Sequence, residues 1–350
     1  MKDQFGRWVV FGVLICFLGA ILVSHFRRQE KSKRGETEVK TEVPSEVEVA
    51  PIVVENAVQE KPQANVIPES EIKTAQEADV SGLYPSDPQV LKKTLEGFLK
   101  KAEKKKGSGL PVGLVTPHAA IEYSGKIAAS AFKQLEGNLY DTVILLLPNH
   151  KAVNLQEIVI CPKGEWGTPL GTIEVDKELA QQLKQESSEF KFAVAPFEQE
   201  HALHVQLPFL QMILKNFKIL PVMVGGRSSE RAMRLADALK RASQGKKVLF
   251  LATTHLSRGE VYEKAKRIDF LITSALEQCD EAGLRRYESE QLVQMCGYGP
   301  VLTLLYLLQE EGVQKGALLA ASNSADVTGK KEEMIVGYAS LAFYKEEKKK

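Results

Sequence analysis

The sequence has few cysteines, four among 350 residues. Cys16 lies in an apolar N-terminal segment, which leaves the odd set Cys161, Cys279 and Cys296 in the rest of the chain. Small domains that depend on disulfides have paired cysteines at a much higher density. The sequence therefore does not support a disulfide framework.

The chain also lacks an excess of either charge. It has 46 Lys and Arg residues against 45 Asp and Glu residues, a net charge of +1. Its basic residues are dispersed, and they form no patch with interleaved aromatic residues. Nucleic-acid binding depends on a basic face that neutralises phosphates, so we expect no nucleic-acid partner.

Common nucleotide and hydrolase motifs are missing. No GxGxxG follows a strand, and neither GxxxxGK[ST] nor GxSxG occurs. The first two motifs hold phosphate groups and the third presents a nucleophilic serine. The segment EHALH carries two histidines but does not match the zinc-protease pattern HExxH. Nucleotide binding, serine hydrolysis and zinc proteolysis therefore lack support.

One long apolar run stands at the N-terminus, from Trp8 to Phe26. Its length is near the roughly 20 residues that a transmembrane helix needs. A cleaved signal peptide is the alternative, but Arg27 and Arg28 follow the run where a small-residue cleavage site would stand. We predict an N-terminal transmembrane anchor over residues 1–26. More basic residues follow the run than precede it. Because basic residues flanking a transmembrane helix favour the cytoplasmic side, this bias predicts a cytoplasmic domain. An exported domain is the alternative.

The rest of the chain divides by composition. Residues 27–81 are rich in Glu, Lys, Val and Pro and have no apolar face, which predicts a disordered linker. Residues 82–346 have the pattern of one α/β domain, in which Ser86 is positioned to cap the first helix. Residues 347–350 form a charged tail.

Apolar runs and amphipathic stretches alternate through residues 82–346. This alternation predicts an α/β fold with three layers: a largely parallel central sheet with helices on both faces. The predicted strands are Val112–Thr116, Thr142–Leu147, Glu157–Cys161, Lys218–Val224, Lys247–Thr253 and Ala317–Ala321. The predicted helices include Lys126–Leu135, Lys177–Gln185, His201–Lys215, Ser229–Ala242, Val261–Gln278 and Val301–Glu311.

Three histidines follow predicted strands: His118, His150 and His255. In open α/β sheets, ligands bind at the carboxyl ends of the strands. A single histidine in this position is more often a turn or hydrogen-bonding residue than a ligand. Three in the same topological position favour a shared site.

Two further elements are candidates for that site. Cys296 precedes a helix that Pro300 can start, and a helix N-terminus stabilises a thiolate as nucleophile or metal ligand. Cys296 could instead be only a small buried residue. Gly297 and Gly299 favour the site, because glycines allow the backbone to approach a ligand closely. His201 and His204 share one helix face; we expect His201 at the site, and His204 at the site or in packing.

The chain resembles the Memo-like family, also called AmmeMemoRadiSam system protein B, which is similar in fold to the extradiol ring-cleaving dioxygenases. The resemblance covers essentially the whole domain. Its segments are GLYPSDPQVL from Gly82, TPHAAIEYSGKIAASAF from Thr116, LPNHKA from Leu147, TPLGTIEVD from Thr168, EHALHVQLPFL from Glu200, TTHLSRG from Thr253, MCGYGPV from Met295 and NSADVTG from Asn323, the last followed by VGYAS.

The resemblance implies a metal held by His118, His150 and Cys296, with His201 beside it. Two imidazoles and a thiolate suit Fe(II) or Cu, with Zn as a further option. His201 and His255 are candidate acid–base residues, and Cys296 a ligand or nucleophile. The sequence departs from three family motifs. The family's PHAGY is PHAAI in this chain, and its NSGD is NSAD. The family's SSDxSH is TTHLSR, so that His255 occupies the position of the acidic residue.

These expectations lead to a membrane-anchored, metal-dependent oxidoreductase or a metal-delivery or metal-sensing protein. The resemblance implies a radical SAM protein and an AMMECR1-like protein as partners. A non-enzymatic module that binds a peptide or small ligand is the alternative from another class. A thiol hydrolase or transferase that uses Cys296 with His118 or His201 is the third.

Overall fold

The computed structural model describes residues 81–105, 109–151, 155–331 and 334–345. The predicted anchor, the linker up to residue 80 and the charged tail lie outside the described residues. Among the helices within these ranges, none combines the length and apolarity needed to cross a membrane.

Helices and strands alternate along the described chain. The strands are β1 Leu110–Thr116, β2 Thr142–Leu147, β3 Ile158–Ile160, β4 Glu165–Thr168, β5 Gly171–Glu174, β6 Lys191–Phe192, β7 Lys218–Val224, β8 Val248–Thr253, β9 Arg258–Glu260, β10 Gly316–Asn323 and β11 Ile335–Lys345. The α-helices are α1 Pro88–Lys101, α2 Ile121–Phe132, α3 Lys177–Glu186, α4 Ala195–Glu198, α5 His201–His204, α6 Gln206–Ile213, α7 Ser229–Ala242, α8 Tyr262–Glu277, α9 Glu281–Ser289, α10 Tyr298–Glu310 and α11 Ser324–Thr328.

Helix α1 begins one residue later than the sequence suggests. The cap is Asp87, whose carboxylate accepts hydrogen bonds from the backbone N–H groups of Gln89 at 2.9 Å and Val90 at 2.8 Å. The predicted cap, Ser86, precedes it. The correction has a local cause: Pro88 occupies the first turn, so the residue before it has the extended backbone that a cap needs.

The main sheet has the strand order β10-β11-β1-β8-β2-β7-β3-β6, with β9 paired to β11. Its four central strands, β1, β8, β2 and β7, are parallel. Strand β11 is antiparallel to β1 and to β10, and β3 is antiparallel to β7. The α/β class and the predicted parallel sheet are therefore present, with antiparallel pairing toward the edges. Strands β4 and β5 form a separate hairpin.

Both faces of the sheet are covered. In β2, Ile144 and Leu146 belong to one apolar core, while Val143, Leu145 and Leu147 belong to the other. Helices α3, α7, α8, α9 and α10 cover the first face, and α1, α2, α6 and the β4-β5 hairpin cover the second. A strand buried on both sides has to be apolar at successive positions, which explains the continuous apolar runs in the sequence.

Asp269 in α8 anchors the segment that follows β8. Its Oδ1 accepts a hydrogen bond from the backbone N–H of Ser257 at 2.9 Å. The carbonyl of Ser257 accepts in turn from the backbone N–H of Gly337 at 3.0 Å. A Cβ on Gly337 would lie 2.1 Å from the Asp269 carboxylate, so only glycine allows this approach. Burial raises the pKa of Asp269 to about 6, although the hydrogen bonds from Ser257 oppose it.

Asp269→Asn is expected to remove a pH-dependent loss of stability. A carboxyl whose pKa is higher in the folded state than in the unfolded state opposes folding once it ionises. The cost is absent at low pH, and it appears as the pH rises from about 4 through about 6. Urea unfolding should show the variant more stable than wild type by about 1–3 kcal/mol at pH 8, and less so at pH 5. Asp237→Asn, at an exposed position in α7, is the matched control, and equal pH profiles for wild type and the Asp269 variant would contradict the assignment.

Candidate metal centre

The centre forms where the carboxyl ends of three neighbouring parallel strands meet. His118 lies two residues beyond β1, His255 two residues beyond β8, and His150 three residues beyond β2. Cys296 comes two residues before α10, and His201 is the first residue of α5. Five side chains from distant parts of the sequence therefore converge at one edge of the sheet.

His118 lies at the middle of this group and is fully buried. Its ring centroid lies 4.0 Å from that of His255, 5.0 Å from that of His150 and 5.3 Å from that of His201. The Sγ of Cys296 lies 3.4 Å from its Nε2. The sequence argument placed these residues together, and the geometry has each of them in contact with His118.

His204 points away from this group. Its Nε2 is hydrogen-bonded to the carbonyl of Glu198 at 3.1 Å, and its ring stacks edge-on against Trp166 with centroids 5.5 Å apart. Of the two roles that the sequence left open for His204, the packing role is the one that the structure shows.

Thr253 fixes which nitrogen of His118 faces the site. The Thr253 hydroxyl donates to the carbonyl of Thr116 at 2.9 Å, so its single hydrogen is already used. Nδ1 of His118, 2.8 Å from the same oxygen, must therefore be the donor. The lone pair of the neutral ring is then on Nε2, which faces Cys296. A metal ligand needs this arrangement.

Gln206, which sequence analysis missed, supports Thr253. The Gln206 amide is buried, and its Nε2 donates to Thr253 Oγ1 at 3.2 Å and to the carbonyl of Pro117 at 3.1 Å. Its Oε1 accepts from the hydroxyl of Thr116 at 2.9 Å. No local sequence signal marks this residue, because its partners are about 50 to 90 positions away.

Glu200, also missed as a site residue, has the same role for His150. Its fully buried carboxylate accepts from His150 Nδ1 at 2.8 Å and from the His150 backbone N–H at 2.8 Å. It also lies 3.4 Å from His201 Nδ1 and caps α5 through the N–H of Ala202. Nε2 of His150 is thereby left for the site. An acidic residue directly before the histidine pair was the available sequence signal.

The imidazoles differ in pKa because their environments differ. Burial, with the neighbouring His255, lowers the pKa of His118 to about 3. Burial, with the charge on His150, lowers the pKa of His201 to about 4. Burial alone would lower the pKa of His150 too, but hydrogen bonds with Cys296 and Glu200 raise it to about 9. His118 and His201 are therefore neutral near pH 7, as metal ligands and proton acceptors must be.

The surroundings of Cys296 favour its thiolate form. Burial would raise the pKa of its thiol, but the interactions with His118 and His150 bring the pKa well below its usual value. The backbone N–H of His255 also donates to Sγ at 3.1 Å. The sulfur is therefore an electron-rich donor that lies 3.4 Å from His118 Nε2.

Gly297 and Gly299 allow the Cys296 segment to approach the strand ends. A Cβ on Gly297 would lie 2.3 Å from the carbonyl oxygen of Thr253 and 2.6 Å from Cβ of Thr254. A Cβ on Gly299 would lie 2.9 Å from Cγ1 of Val224. From the sequence we expected these glycines to allow the close approach of a ligand. In the structure they pack against protein atoms, at the ends of β8 and β7.

The residues present fit a metal ion. A nitrogen at about 2.0–2.1 Å and a sulfur at about 2.3 Å from one tetrahedral ion lie roughly 3.5 Å apart, close to the 3.4 Å between Cys296 Sγ and His118 Nε2. The Nε2 of His255 is buried and has no hydrogen-bond partner among the described residues, so it is available to an ion. Two groups of three donors lie within 4.8 Å of one another: His118, His255 and Cys296, and His118, His150 and His201.

Thr253→Val is expected to weaken metal binding without unfolding the domain. Valine has the shape of threonine but frees His118 Nδ1, so the proton can move to Nε2 and block the ligand position. Loss of such a partner typically lowers affinity about 10–100-fold. Competition with a chromophoric chelator measures the change. Thr253→Ser, which keeps the hydroxyl, should stay near wild type, and a serine variant as weak as the valine variant would contradict the tautomer argument.

Comparisons with known proteins agree with this picture. The family model described as Memo-like protein matches residues 76–342. A MEMO1 family protein of Methanobrevibacter smithii is 35% identical over 277 residues, which cover 75% of this chain and 98% of that protein. One from Sulfolobus acidocaldarius is 35% identical over 281 residues, covering 76% and 98% of the two chains. One from Methanopyrus kandleri is 30% identical over 271 residues, covering 74% and 95%. The chain therefore belongs to the Memo-like protein family.

Proposed function

We propose that this protein binds a redox-capable metal, Fe or Cu with Zn as a further option, through His118, His150 and Cys296. One observation carries the proposal: Thr253 and Glu200 hold the Nδ1 atoms of the two histidines, so the Nε2 atoms of both are directed toward Cys296 Sγ. A metal ion in place of the protons between these atoms would have two imidazole nitrogens and one thiolate sulfur as ligands. Imidazole and thiolate donors favour these metals over Mg and Ca.

The pocket also has groups suited to proton transfer. A bound Fe or Cu ion would supply Lewis acidity and electron transfer there. His201 is neutral and about 30% exposed along its side chain, so it can accept a proton and pass it outward. His255 adjoins Cys296 and is the second candidate acid or base. An oxidoreductase therefore fits this arrangement, and so does delivery or sensing of the metal.

The proposal also includes a membrane anchor and two protein partners. The apolar run from Trp8 to Phe26 supports a membrane anchor with the domain on the cytoplasmic side. Family membership supports a radical SAM protein and an AMMECR1-like protein as partners. Co-purification of either partner with the full chain would support this part, and a full chain that stays out of the membrane fraction would argue against the anchor.

Elemental analysis of the anaerobically purified full chain tests the metal. About one equivalent of Fe or Cu is expected in wild type, and it should be lost in His118→Ala and Cys296→Ala. His204→Ala and Cys279→Ser are matched controls, because His204 packs on Trp166 and Cys279 is a half-buried thiol outside the site. These controls should keep the metal. A metal-free wild type that takes up neither ion on reconstitution would overturn the proposal and favour a binding module.

A further inference from the structure

Strand β10, Gly316–Asn323, forms one edge of the main sheet, and within the part of the chain that the structure describes it pairs with β11 alone. The backbone groups of an edge strand can pair with another chain, and natural edges are usually short or carry charges or proline. The opposite edge, β6, has two residues, but β10 has eight and includes neither a charged residue nor a proline. A bulge between Leu318 and Ala320 leaves Ala320–Asn323 as its regular stretch. Strand β10 is therefore an uncharged edge that suits strand pairing.

Helix α8 runs beside this edge in the direction opposite to β10. At the C-terminal end of α8, Glu277 Oε1 accepts a hydrogen bond from the backbone N–H of Leu318 at 3.3 Å. At its N-terminal end, the Tyr262 hydroxyl donates to Asp326 Oδ1 at 2.7 Å, beyond the end of β10. About six helical residues rise roughly 9 Å, the length of about three strand residues. The middle of α8 therefore lies beside the start of the regular stretch of β10.

One flank of α8 faces outward next to this edge. It carries Lys266, Phe270 and Glu277, whose spacings of four and seven residues are close to whole helical turns. Because Glu277 reaches the backbone of Leu318, the flank lies on the side of β10. Phe270 is 70% exposed and Leu318 is 36% exposed. The flank therefore has an exposed aromatic ring between a lysine and a carboxylate, beside an exposed leucine of the strand.

We propose that this edge is the interface of a homodimer, in which β10 pairs antiparallel with β10 of a second copy. A second copy fits because the flank is complementary to itself across a two-fold axis. An axis beside the regular stretch of β10 also passes the middle of α8, near Leu271 and Ile272. Lys266 lies five residues before Leu271, and Glu277 lies five residues after Ile272. Lys266 of each copy therefore faces Glu277 of the other, and the two Phe270 rings meet close to the axis.

Sedimentation velocity of the detergent-solubilised full chain tests the interface, and wild type is expected to dimerise. Phe270→Asp should raise the dissociation constant of the dimer at least about tenfold. Leu139→Asp is the matched control, because Leu139 is 69% exposed but precedes β2, and it should leave the constant unchanged. Lys266→Glu and Glu277→Lys each place like charges opposite one another and should also weaken the dimer at least about tenfold. The double variant restores opposite charges and should regain most of the wild-type affinity.

Hydrogen exchange gives a readout that needs no variant: the amides of Ala320–Asn323 should exchange more slowly as the protein concentration rises. A wild-type chain that stays monomeric would overturn the proposal, and slow exchange of these amides in that monomer would show that the chain covers its own edge. A dimer that none of these variants weakens would have its contact elsewhere in the chain. If the double variant stays as weak as the single ones, Lys266 and Glu277 do not face each other, and the two-fold arrangement is wrong.

Discussion

Glu200→Gln is expected to weaken metal binding by about 10–100-fold and to lower the free energy of unfolding by about 1–3 kcal/mol. The carboxylate of Glu200 is fully buried and accepts from three N–H groups. Both of its oxygens are used: Oε1 by His150 Nδ1 and Ala202 N, and Oε2 by His150 N. A glutamine amide replaces one of these oxygens with an NH₂ group. In either orientation of the amide, this NH₂ group faces an N–H group that previously donated to Glu200.

The same substitution changes the charge on His150. Hydrogen bonds with Cys296 and Glu200 raise the pKa of His150 to about 9 against the effect of burial. Without the carboxylate charge the pKa of His150 should fall, and an NMR titration of its ring nitrogens measures this. Glu198→Gln is the matched control, two residues earlier in the same segment. Wild-type stability and metal affinity in the Glu200 variant would show that its hydrogen bonds do not order the site.

Gly297→Ala is expected to displace Cys296 from the site. The added Cβ would lie 2.3 Å from the carbonyl oxygen of Thr253, a backbone atom at the end of the central strand β8. Neither side can move without shifting β8 or the start of α10. Overpacking of this kind typically costs about 1–3 kcal/mol. The shift should also pull Sγ from its contacts with His118 and His255, which lie at 3.4 Å and 3.1 Å.

Chemical unfolding and chelator competition measure the two effects of Gly297→Ala. Gly97→Ala is the matched control, because its Cβ would meet nothing within 4 Å. That variant lies in an exposed part of α1, where alanine should stabilise by up to about 1 kcal/mol. Equal stability changes in the two variants would contradict the packing argument. Unchanged metal affinity in Gly297→Ala would show that the position of Cys296 does not depend on the close approach.

Local pattern was enough for most of the central fold. The strands Thr142–Leu147 and Lys218–Val224 and the helix Ser229–Ala242 have their predicted bounds. The antiparallel strand β11 was not predicted, although it is the longest described strand. Its pairing with β1 joins residues more than 200 positions apart, and such pairing leaves no local periodicity by which a sequence could reveal it.

The sequence by itself determined the α/β class, the positions of histidines after parallel strands, and the family, because burial on both sheet faces and strand-end loops leave local patterns. Only the tertiary structure decided that His204 packs on Trp166, that Glu200 and Thr253 fix the tautomers of His150 and His118, and that the donors form two groups. These features depend on hydrogen bonds between segments far apart in the chain, whose geometry no single segment specifies.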